Sequence, residues 1–227
     1  MEVKQDDGAV KRRTYDSSAR RLAAMATRQS ILEAARRVFL EKGYAAATMA
    51  GIAQFAGVAL DTVYATAGKK PSLFRLLIET AISGGDTPVA AEEREYVRAI
   101  RAETDAARKL SLYAAALRRI QPRLAPLVQV LQGAAPFDPE LAALWREISL
   151  RRAKNMRLLA KELAATGRFR RRLSVARAAD VIWSMNSPEF YLLLVEQRGW
   201  SPEEFERWLA DALVRLLLEP QREPGER

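Results

Sequence analysis

The side chains of this sequence that could do chemistry are charged ones, because the two residues that react most readily at neutral pH are missing. The chain has 227 residues, with 37 Lys and Arg against 28 Asp and Glu, a formal net charge of +9, and neither His nor Cys. Imidazole bases, thiolate nucleophiles, disulfides and His or Cys metal ligands are therefore excluded. Carboxylates or lysines could still serve an enzyme, but the basic balance favours a polyanionic partner. We expect no cofactor and no metal.

Two adjacent lysines, Lys69 and Lys70, stand at the start of a predicted helix. The helix dipole disfavours a cation at this end by up to about 1 kcal/mol. A bound anion such as a phosphate group would relieve that conflict, because the free backbone N–H groups also point toward it. The alternative is a pair of solvated lysines at a loop tip.

Just before these lysines, two short helices are predicted around a glycine turn. Thr48 can cap a helix that reaches Ala56, Gly57 can adopt the positive φ of a tight turn, and a second helix runs from Ala59 to Thr66. This is the helix-turn-helix arrangement, whose second helix enters the major groove of DNA, although a plain helical hairpin has the same spacing. The outward face of the second helix would present Leu60, Asp61, Thr62, Ala65 and Thr66.

The surrounding sequence predicts an all-α protein in which helices position these residues. Leu, Ala, Arg and Glu recur at helical spacing, and a Ser-Gly-Gly-Asp-Thr-Pro run at 83–88 marks the best boundary. We therefore predict a flexible basic arm (1–17), a helix-turn-helix domain (18–85) and a larger helical domain (86–227). The helices expected outside the short pair span 18–42, 70–82, 105–120 (closed by Gln121-Pro122), 124–131, 138–165, 174–186 with a restart at 188, and 201–218.

A longer pattern runs in register through the predicted helix-turn-helix domain. Its residues are Gln29-Ser30-Ile31-Leu32-Glu33-Ala34-Ala35, Val38-Phe39, Lys42-Gly43-Tyr44, Thr48-Met49, Ile52-Ala53, Ala56-Gly57-Val58, Thr62-Val63-Tyr64, Gly68-Lys69-Lys70 and Leu73-Phe74. Over about residues 28–80 the chain thereby resembles the DNA-binding domain of the bacterial tetracycline-repressor (TetR) family. More weakly, the remainder resembles the family's helical ligand-binding and dimerisation region, especially at 183–188 and 199–202.

The resemblance implies roles for individual positions. Thr48, Tyr64 and Lys70 stand where family members contact DNA phosphates, and the outward residues of the second short helix stand at the base-reading positions. Ala59 departs from the pattern because it replaces the usual Ser or Thr cap, and Asp61 places a negative charge near DNA. Separately, the basic residues Arg12, Arg13 and Arg28 could tether phosphates or a minor groove, or belong to a solvated terminus.

The larger domain offers candidates for a ligand pocket and for a dimer interface. The pocket candidates, which could equally be ordinary core, are Tyr113, Phe137, Trp145, Ile148, Met156, Trp183, Met185, Asn186 and Phe190. Asn186 stands beside a proline break and could orient a ligand or cap the kink. Arg152 and its neighbour Arg151 are expected on the solvated surface. Two apolar stripes could pair with a second subunit, as in the family, or pack within the monomer; their residues are Val175, Ala179, Ile182, Tyr191, Leu194, Leu209, Leu213 and Leu216.

The expected function is that of a DNA-binding transcriptional regulator and not of an enzyme. The resemblance implies a homodimeric repressor that a small apolar or amphipathic ligand releases from a palindromic operator of double-stranded DNA. One alternative is a helical protein-interaction adaptor that keeps the fold without the operator; another is an all-α enzyme that uses carboxylates or lysines. No stretch approaches the roughly 18 apolar residues of a membrane span, and the N-terminus lacks an apolar signal segment, so we expect a cytoplasmic location and no membrane partner.

Overall fold

The computed structural model describes residues 17–220, and over this range the chain is all-α, as predicted. No β-strand occurs in the described range. Within the same range, no helical segment combines the length and the hydropathy that a membrane span requires. The short helix Pro188–Tyr191 continues directly into a π-helical stretch, Leu192–Gln197. The ten α-helices are α1 Ser17–Ala46, α2 Met49–Ala56, α3 Leu60–Ala67, α4 Lys70–Ser83, α5 Glu95–Ala102, α6 Ala106–Ala134, α7 Pro139–Ala165, α8 Val175–Met185, α9 Pro188–Tyr191 and α10 Pro202–Leu217.

Helices α1 to α4 build the N-terminal core around the apolar face that the sequence predicts for α1. That face, Ile31 to Phe39, is buried against Ile52 of α2 and Val63 of α3. Phe74 of α4 meets Phe39 edge to face with a centroid separation of 4.9 Å, and Tyr44 in the same way at 5.4 Å. Such pairs add to the hydrophobic gain from burial. The aromatic cluster therefore ties α4 to α1 directly beneath α2 and α3.

The predicted end of the first helix at Lys42 is a kink. Gly43 has φ 72° and ψ 171°, and a further helical turn follows it to Ala46. Glycine adopts this backbone conformation without the steric cost of a Cβ atom. The turn brings Tyr44 into the aromatic cluster and leads directly into Thr48, the cap of α2.

The predicted helix break at Gln121-Pro122 is wrong, because α6 continues through both Pro122 and Pro126 to Ala134. Pro126 has no N–H group, so the carbonyl of Pro122 loses its helical donor. Arg36 of α1 replaces it: its Nη2 donates to the Pro122 carbonyl at 3.2 Å, and its Nη1 donates to the Arg123 carbonyl. The second half of α6 is also held by burial of Leu127 and Leu131 in the N-terminal core. Tertiary contacts thus preserve a helix that local sequence rules would end.

Arg36 gives a stability prediction with a matched control on the next residue. Arg36→Met should lower the free energy of unfolding by about 1–3 kcal/mol, because charged hydrogen bonds to two backbone carbonyls are lost. Arg37 makes only surface contacts, an ion pair with Glu41 one turn away and a cation–π contact with the exposed Phe55, so Arg37→Met should change it by less, at most about 1 kcal/mol. Urea unfolding of the two variants measures the difference; equal effects would contradict the capping role of Arg36.

The C-terminal helices start where the sequence predicts them. Asp138 Oδ1 accepts from the backbone N–H groups of Glu140 and Leu141 at the start of α7, and Ser174 caps α8 through Arg177 N. Ser187 caps α9 after the predicted kink, and Ser201 with Glu204 forms a capping box on α10. Helix α5 was not predicted. These helices enclose a second apolar core, which includes Leu110, Leu163, Ile182, Phe205 and Leu209.

Helices α6 and α7 contribute to both cores, so the two predicted domains are packed together. Leu127 and Leu131 of α6 and Leu141, Leu144 and Ile148 of α7 are buried in the N-terminal core. Two ion pairs also join α4 to α7. Arg75 binds both carboxylate oxygens of Glu147 at 2.6 and 2.7 Å, and Arg151 contacts Glu79 at 3.1 Å.

Candidate nucleic-acid interface

Helices α2 and α3 are joined by the tight turn that the sequence predicts. Thr48 Oγ1 accepts from the Gly51 N–H at 3.0 Å and so caps α2. Gly57 ends α2 in the left-handed region with φ 68° and ψ 30°, and the N–H of Val58 donates back to the Ala53 carbonyl at 3.1 Å. Val63 is fully buried beneath α3. These contacts fix the second short helix on the core and leave its other face outward.

The turn conformation can be tested with two glycine-to-alanine substitutions. A Cβ at Gly57 would meet no atom within 4 Å, so the only cost of Gly57→Ala is the positive φ, about 1–2 kcal/mol of lost stability. Gly133 lies inside α6 and is equally open, so Gly133→Ala should instead stabilise the fold by up to about 1 kcal/mol. The midpoint temperature of thermal unfolding should fall for Gly57→Ala and rise for Gly133→Ala. A rise for Gly57→Ala would refute the strained turn.

The outward face of α3 presents most of the predicted base-reading residues. Leu60 is 39% exposed and Tyr64 is 44% exposed, and Asp61 and Ala65 are exposed beside them. Thr62 and Thr66 are half-buried, and the Thr66 hydroxyl donates to the Thr62 carbonyl at 2.7 Å. Thr66 is therefore partly engaged by its own helix. An exposed leucine and tyrosine on a short, firmly seated helix offer a surface for apolar and hydrogen-bond contacts.

The N-terminus of α3 lacks the usual side-chain cap. Ala59 occupies the cap position and makes no side-chain hydrogen bond, as its residue type requires. Asp61, in the first turn, is the one acidic residue placed to interact with the helix dipole there. The helix is consequently held by its buried side and by the Gly57 turn more than by its own ends.

Lys69 and Lys70 lie at the start of α4, as predicted, and they differ in environment. Lys69 is the N-cap residue and is exposed, without a side-chain cap. Lys70 Nζ lies 4.3 Å from the ring centroid of Tyr44 and donates to the Ala45 carbonyl at 3.3 Å. Partial burial lowers the pKa of Lys70, and burial together with the charges of Asp138 and Glu140 raises the pKa of Tyr44 to about 12. Tyr44 is therefore neutral at physiological pH and supports an ordered ammonium group at the helix N-terminus.

The basic residues predicted as a DNA tether are only partly described. Arg12 and Arg13 lie outside the described residues. Arg28 is half-buried, and its Nε donates to the Asp86 carbonyl at 2.9 Å, so its guanidinium holds the connection that follows α4. Sequence reasoning missed a different basic group: Arg37 and Lys42 lie 5.0 and 6.0 Å from the ring centroid of the exposed Phe55. Their spacing on α1 and the exposed aromatic on α2 were the available signals.

Comparison with known families agrees with this geometry. Residues 31–77, which hold α2, α3 and the start of α4, match the family described as bacterial regulatory proteins, tetR family. The N-terminal domain is thus similar in sequence to the DNA-binding domain of that family. No curated protein sequence matches the chain.

Solved structures share the fold of this TetR-type domain and of the helices that follow it. Native NalD, the secondary repressor of the MexAB-OprM multidrug efflux pump in Pseudomonas aeruginosa, is 23% identical with a TM-score of 0.67. The alignment covers 86% of this chain and 98% of NalD. FadR from Bacillus subtilis, in complex with stearoyl-CoA, is 21% identical with a TM-score of 0.64 and covers 83% and 98% of the two chains. The TetR-type fold thus extends over both domains.

The nine pocket candidates divide among four places outside the TetR-type interface. Tyr113, Met156, Met185 and Asn186 are buried together in the second core, with Trp183 partly buried at its edge. Trp145 and Ile148 belong instead to the N-terminal core. Phe190 stacks on Trp208 at 6.0 Å. Phe137 is 87% exposed, because it lies in the short turn between α6 and α7 and has no core to face.

Polar atoms join the first of these groups. Asn186 Nδ2 donates to the Tyr113 hydroxyl and to Met156 Sδ, the latter at 2.8 Å, and the Asn186 carbonyl accepts from Gln121 Nε2 at 2.8 Å. Arg152, expected on the solvated surface, instead points inward: its Nε donates to Asn186 Oδ1 at 3.0 Å and its Nη2 donates to the Trp183 carbonyl. Asn186 thus bridges α6, α7 and α8, which neither of its sequence-based roles included.

Most of the predicted dimer residues face the chain's own core. The residues buried within the single chain are Ala179, Ile182, Tyr191, Leu209 and Leu213. Val175 and Leu194 are half-buried, and Leu216 is exposed. Leu193 of the π-helical stretch, absent from the predicted set, is exposed as well. The apolar stripes are wide enough to fill the second core, and only their edges remain outward.

Proposed function

We propose that this chain is a transcriptional repressor that binds operator DNA through α3 and releases it when a small apolar or amphipathic molecule binds the C-terminal domain. The observation that carries the proposal is the exposed face of α3, which accompanies two helix N-termini where the sequence resemblance implies phosphate contacts. Thr48 lies at the N-terminus of α2 and Lys70 at the N-terminus of α4. Both helix ends are favourable for anions, so a DNA backbone could be held on either side of the helix that reads the bases.

The solved relatives support both halves of this proposal. NalD is a repressor of an efflux pump, FadR from Bacillus subtilis is in complex with stearoyl-CoA, and SmeT is in complex with triclosan. SmeT is 18% identical with a TM-score of 0.61, covering 88% of this chain and 96% of its own. In each case the likeness extends through the C-terminal helices, which favours that region for ligand binding here.

A symmetric dimer would let the chain read a palindrome. Two recognition helices about 34 Å apart enter successive major grooves on one side of the duplex. We propose that the pairing surface is the outer edge of the last helices, which includes the exposed Leu193 and Leu216. The chain would act in the cytoplasm, where its operator DNA is present.

The contacts between the domains give ligand binding a route to the DNA-binding helices. Arg36 on α1 holds α6, and the pairs Arg75–Glu147 and Arg151–Glu79 hold α7 against α4. A ligand that moved α6 or α7 would therefore shift α4, and α3 with it, and so change the separation of two recognition helices. Such a ligand must bind the released state more tightly than the DNA-bound state.

The proposed function is tested by titrating the purified chain against the DNA that flanks its own gene, with random DNA of equal length as the control, at two salt concentrations. We expect a selective complex that contains two subunits and weakens as salt rises. Binding of equal strength to both DNAs would contradict operator recognition. Absence of binding even at low salt would favour the protein-interaction adaptor that keeps the fold alone.

A further inference from the structure

The cation Arg152 has no acidic partner in the core between α6, α7 and α8. Its side chain is half-buried, yet none of the ion pairs formed by residues 17–220 includes it. Its hydrogen-bond acceptors are neutral: Asn186 Oδ1 and the Trp183 carbonyl. By contrast, the preceding residue Arg151 is exposed and contacts both Glu79 and Glu147. Charges that are withdrawn from water in proteins are normally paired with an opposite charge. A bound anion would supply that missing partner for Arg152.

Glu189 is the acidic residue whose charge acts on Arg152, and its carboxylate already has other hydrogen-bond partners. Burial of the guanidinium lowers the pKa of Arg152 and outweighs the opposing effects of Tyr113 and then of Glu189. The Glu189 carboxylate accepts from Gln132 Nε2 and is also held by Ser187 at the start of α9. It therefore fixes α9 against α6 and leaves the Arg152 charge without a direct counter-ion.

Unused donors lie beside this charge. The guanidinium of Arg152 stacks on the Trp183 ring at 4.4 Å from the centroid. Trp183 Nε1 is buried and has no hydrogen-bond partner within the described range, and Arg152 Nη1 makes no hydrogen bond there. Buried donors without a partner are uncommon in folded proteins, because each loses its hydrogen bonds to water without replacement. Gln121 Oε1 also lacks a partner among the buried side-chain atoms of residues 17–220, but as an acceptor it cannot bind an anion.

The surroundings of these donors are apolar. Tyr113, Met156 and Met185 are buried next to Asn186, and the Tyr113 hydroxyl and Met156 Sδ already share its amide group. Methionine side chains repack readily around guests of different shape. The site therefore combines one planar cation, one free indole N–H and an adaptable apolar wall.

We propose that Arg152 and Trp183 form a binding site for the carboxylate group of an otherwise apolar ligand. The proposal rests on the proposed function, because this ligand would be the molecule that releases the DNA. The planar guanidinium matches the two oxygens of a carboxylate, and Trp183 Nε1 supplies a further donor. Ligand binding would compete with the bonds from Arg152 to Asn186 and to the Trp183 carbonyl, and so loosen α7 from α8.

The test measures binding to the full chain by calorimetry. The probes are straight-chain carboxylates from hexanoate to hexadecanoate, each compared with its matched primary alcohol. We expect the best carboxylate to bind at least about tenfold more tightly than its alcohol, because a charge-assisted hydrogen bond is stronger than a neutral one. Failure of every carboxylate to bind, or equal binding of acid and alcohol, would overturn the proposal without any variant.

Two substitutions then locate the preference. Arg152→Gln should remove the advantage of the carboxylate over the alcohol, and Trp183→Phe should reduce it by a smaller factor while keeping the ring. Arg157→Gln is the matched control, since Arg157 is an exposed arginine on the same helix. A carboxylate preference that survives in Arg152→Gln, or disappears in Arg157→Gln, would contradict the site.

Failure of this inference can be separated from failure of the proposed function. If the chain binds its flanking DNA but no carboxylate displaces it, the repressor proposal stands and the Arg152 site is refuted. If carboxylates bind by calorimetry but no DNA is bound, the site stands and the repressor proposal fails. In the DNA-release assay, Arg152→Gln should no longer respond better to the carboxylate than to its matched alcohol.

Discussion

Phe74→Ala is expected to lower the free energy of unfolding by about 3–5 kcal/mol, a large share of the stability of a domain of this size. Phe74 is fully buried, and its ring meets both Phe39 and Tyr44 edge to face. Truncation would leave a cavity that the rigid helices α1 and α4 cannot close. Because α2 and α3 rest on the same core, DNA binding should be lost at temperatures where the wild-type chain is still folded.

The control for Phe74 is Phe137→Ala. It deletes the same atoms from a side chain that is 87% exposed, so stability should change by less than about 0.5 kcal/mol. Chemical denaturation of both variants, followed by far-ultraviolet circular dichroism, gives the comparison. A loss of less than about 1 kcal/mol for Phe74→Ala would mean that the aromatic cluster does not support the domain.

The double substitution Lys69→Gln with Lys70→Gln is expected to reduce DNA affinity most strongly of all changes that leave the fold intact. Lys69 is exposed at the N-cap of α4, and Lys70 is held over Tyr44 at the same helix end. If each neutralises one phosphate, the slope of log affinity against log salt should fall by about 0.9 per lysine. The loss should be uniform across DNA sequences, since phosphate contacts carry no base information.

A matched control removes the same charge from the other domain. Lys154→Gln with Lys161→Gln replaces two exposed lysines of α7, so the net charge falls equally. Filter binding or fluorescence anisotropy at several salt concentrations should show a changed slope only for the first pair. If the slope of log affinity against log salt falls equally in both double variants, overall charge, and not the α4 N-terminus, attracts the DNA.

The two short helices of the TetR-type domain were predictable because local rules decide them. Thr48, Gly57 and Lys70 act through capping, a positive φ and a helix end, and each effect depends on a few neighbouring residues. The start of α7 at Asp138 follows from the same kind of rule. The resemblance over residues 28–80 agrees with the family match at 31–77. Its pattern is visible in the sequence because the helices that form this compact core follow one another closely along the chain.

The C-terminal site was not predictable in the same way, because its residues acquire their roles from partners far along the chain. Arg152 looks like a surface arginine until Trp183 and Asn186 fold against it. Apart from Asn186, the candidate pocket residues follow from side-chain size, and size does not distinguish the buried Tyr113 from the exposed Phe137. An apolar stripe likewise does not reveal whether it faces its own core or a second subunit.

By itself the sequence determined the helical class, the capped ends of most helices and the turn that presents α3, because these depend on backbone conformation and hydrogen bonds within a few residues. Only the tertiary structure decided that α6 continues through Pro122 and Pro126, that Arg36 supplies the missing donor, and that Arg152 enters the second core. In each of these cases a distant side chain changes the free energy of a local group. That contribution is invisible in the order of residues and exists only when the helices are packed together.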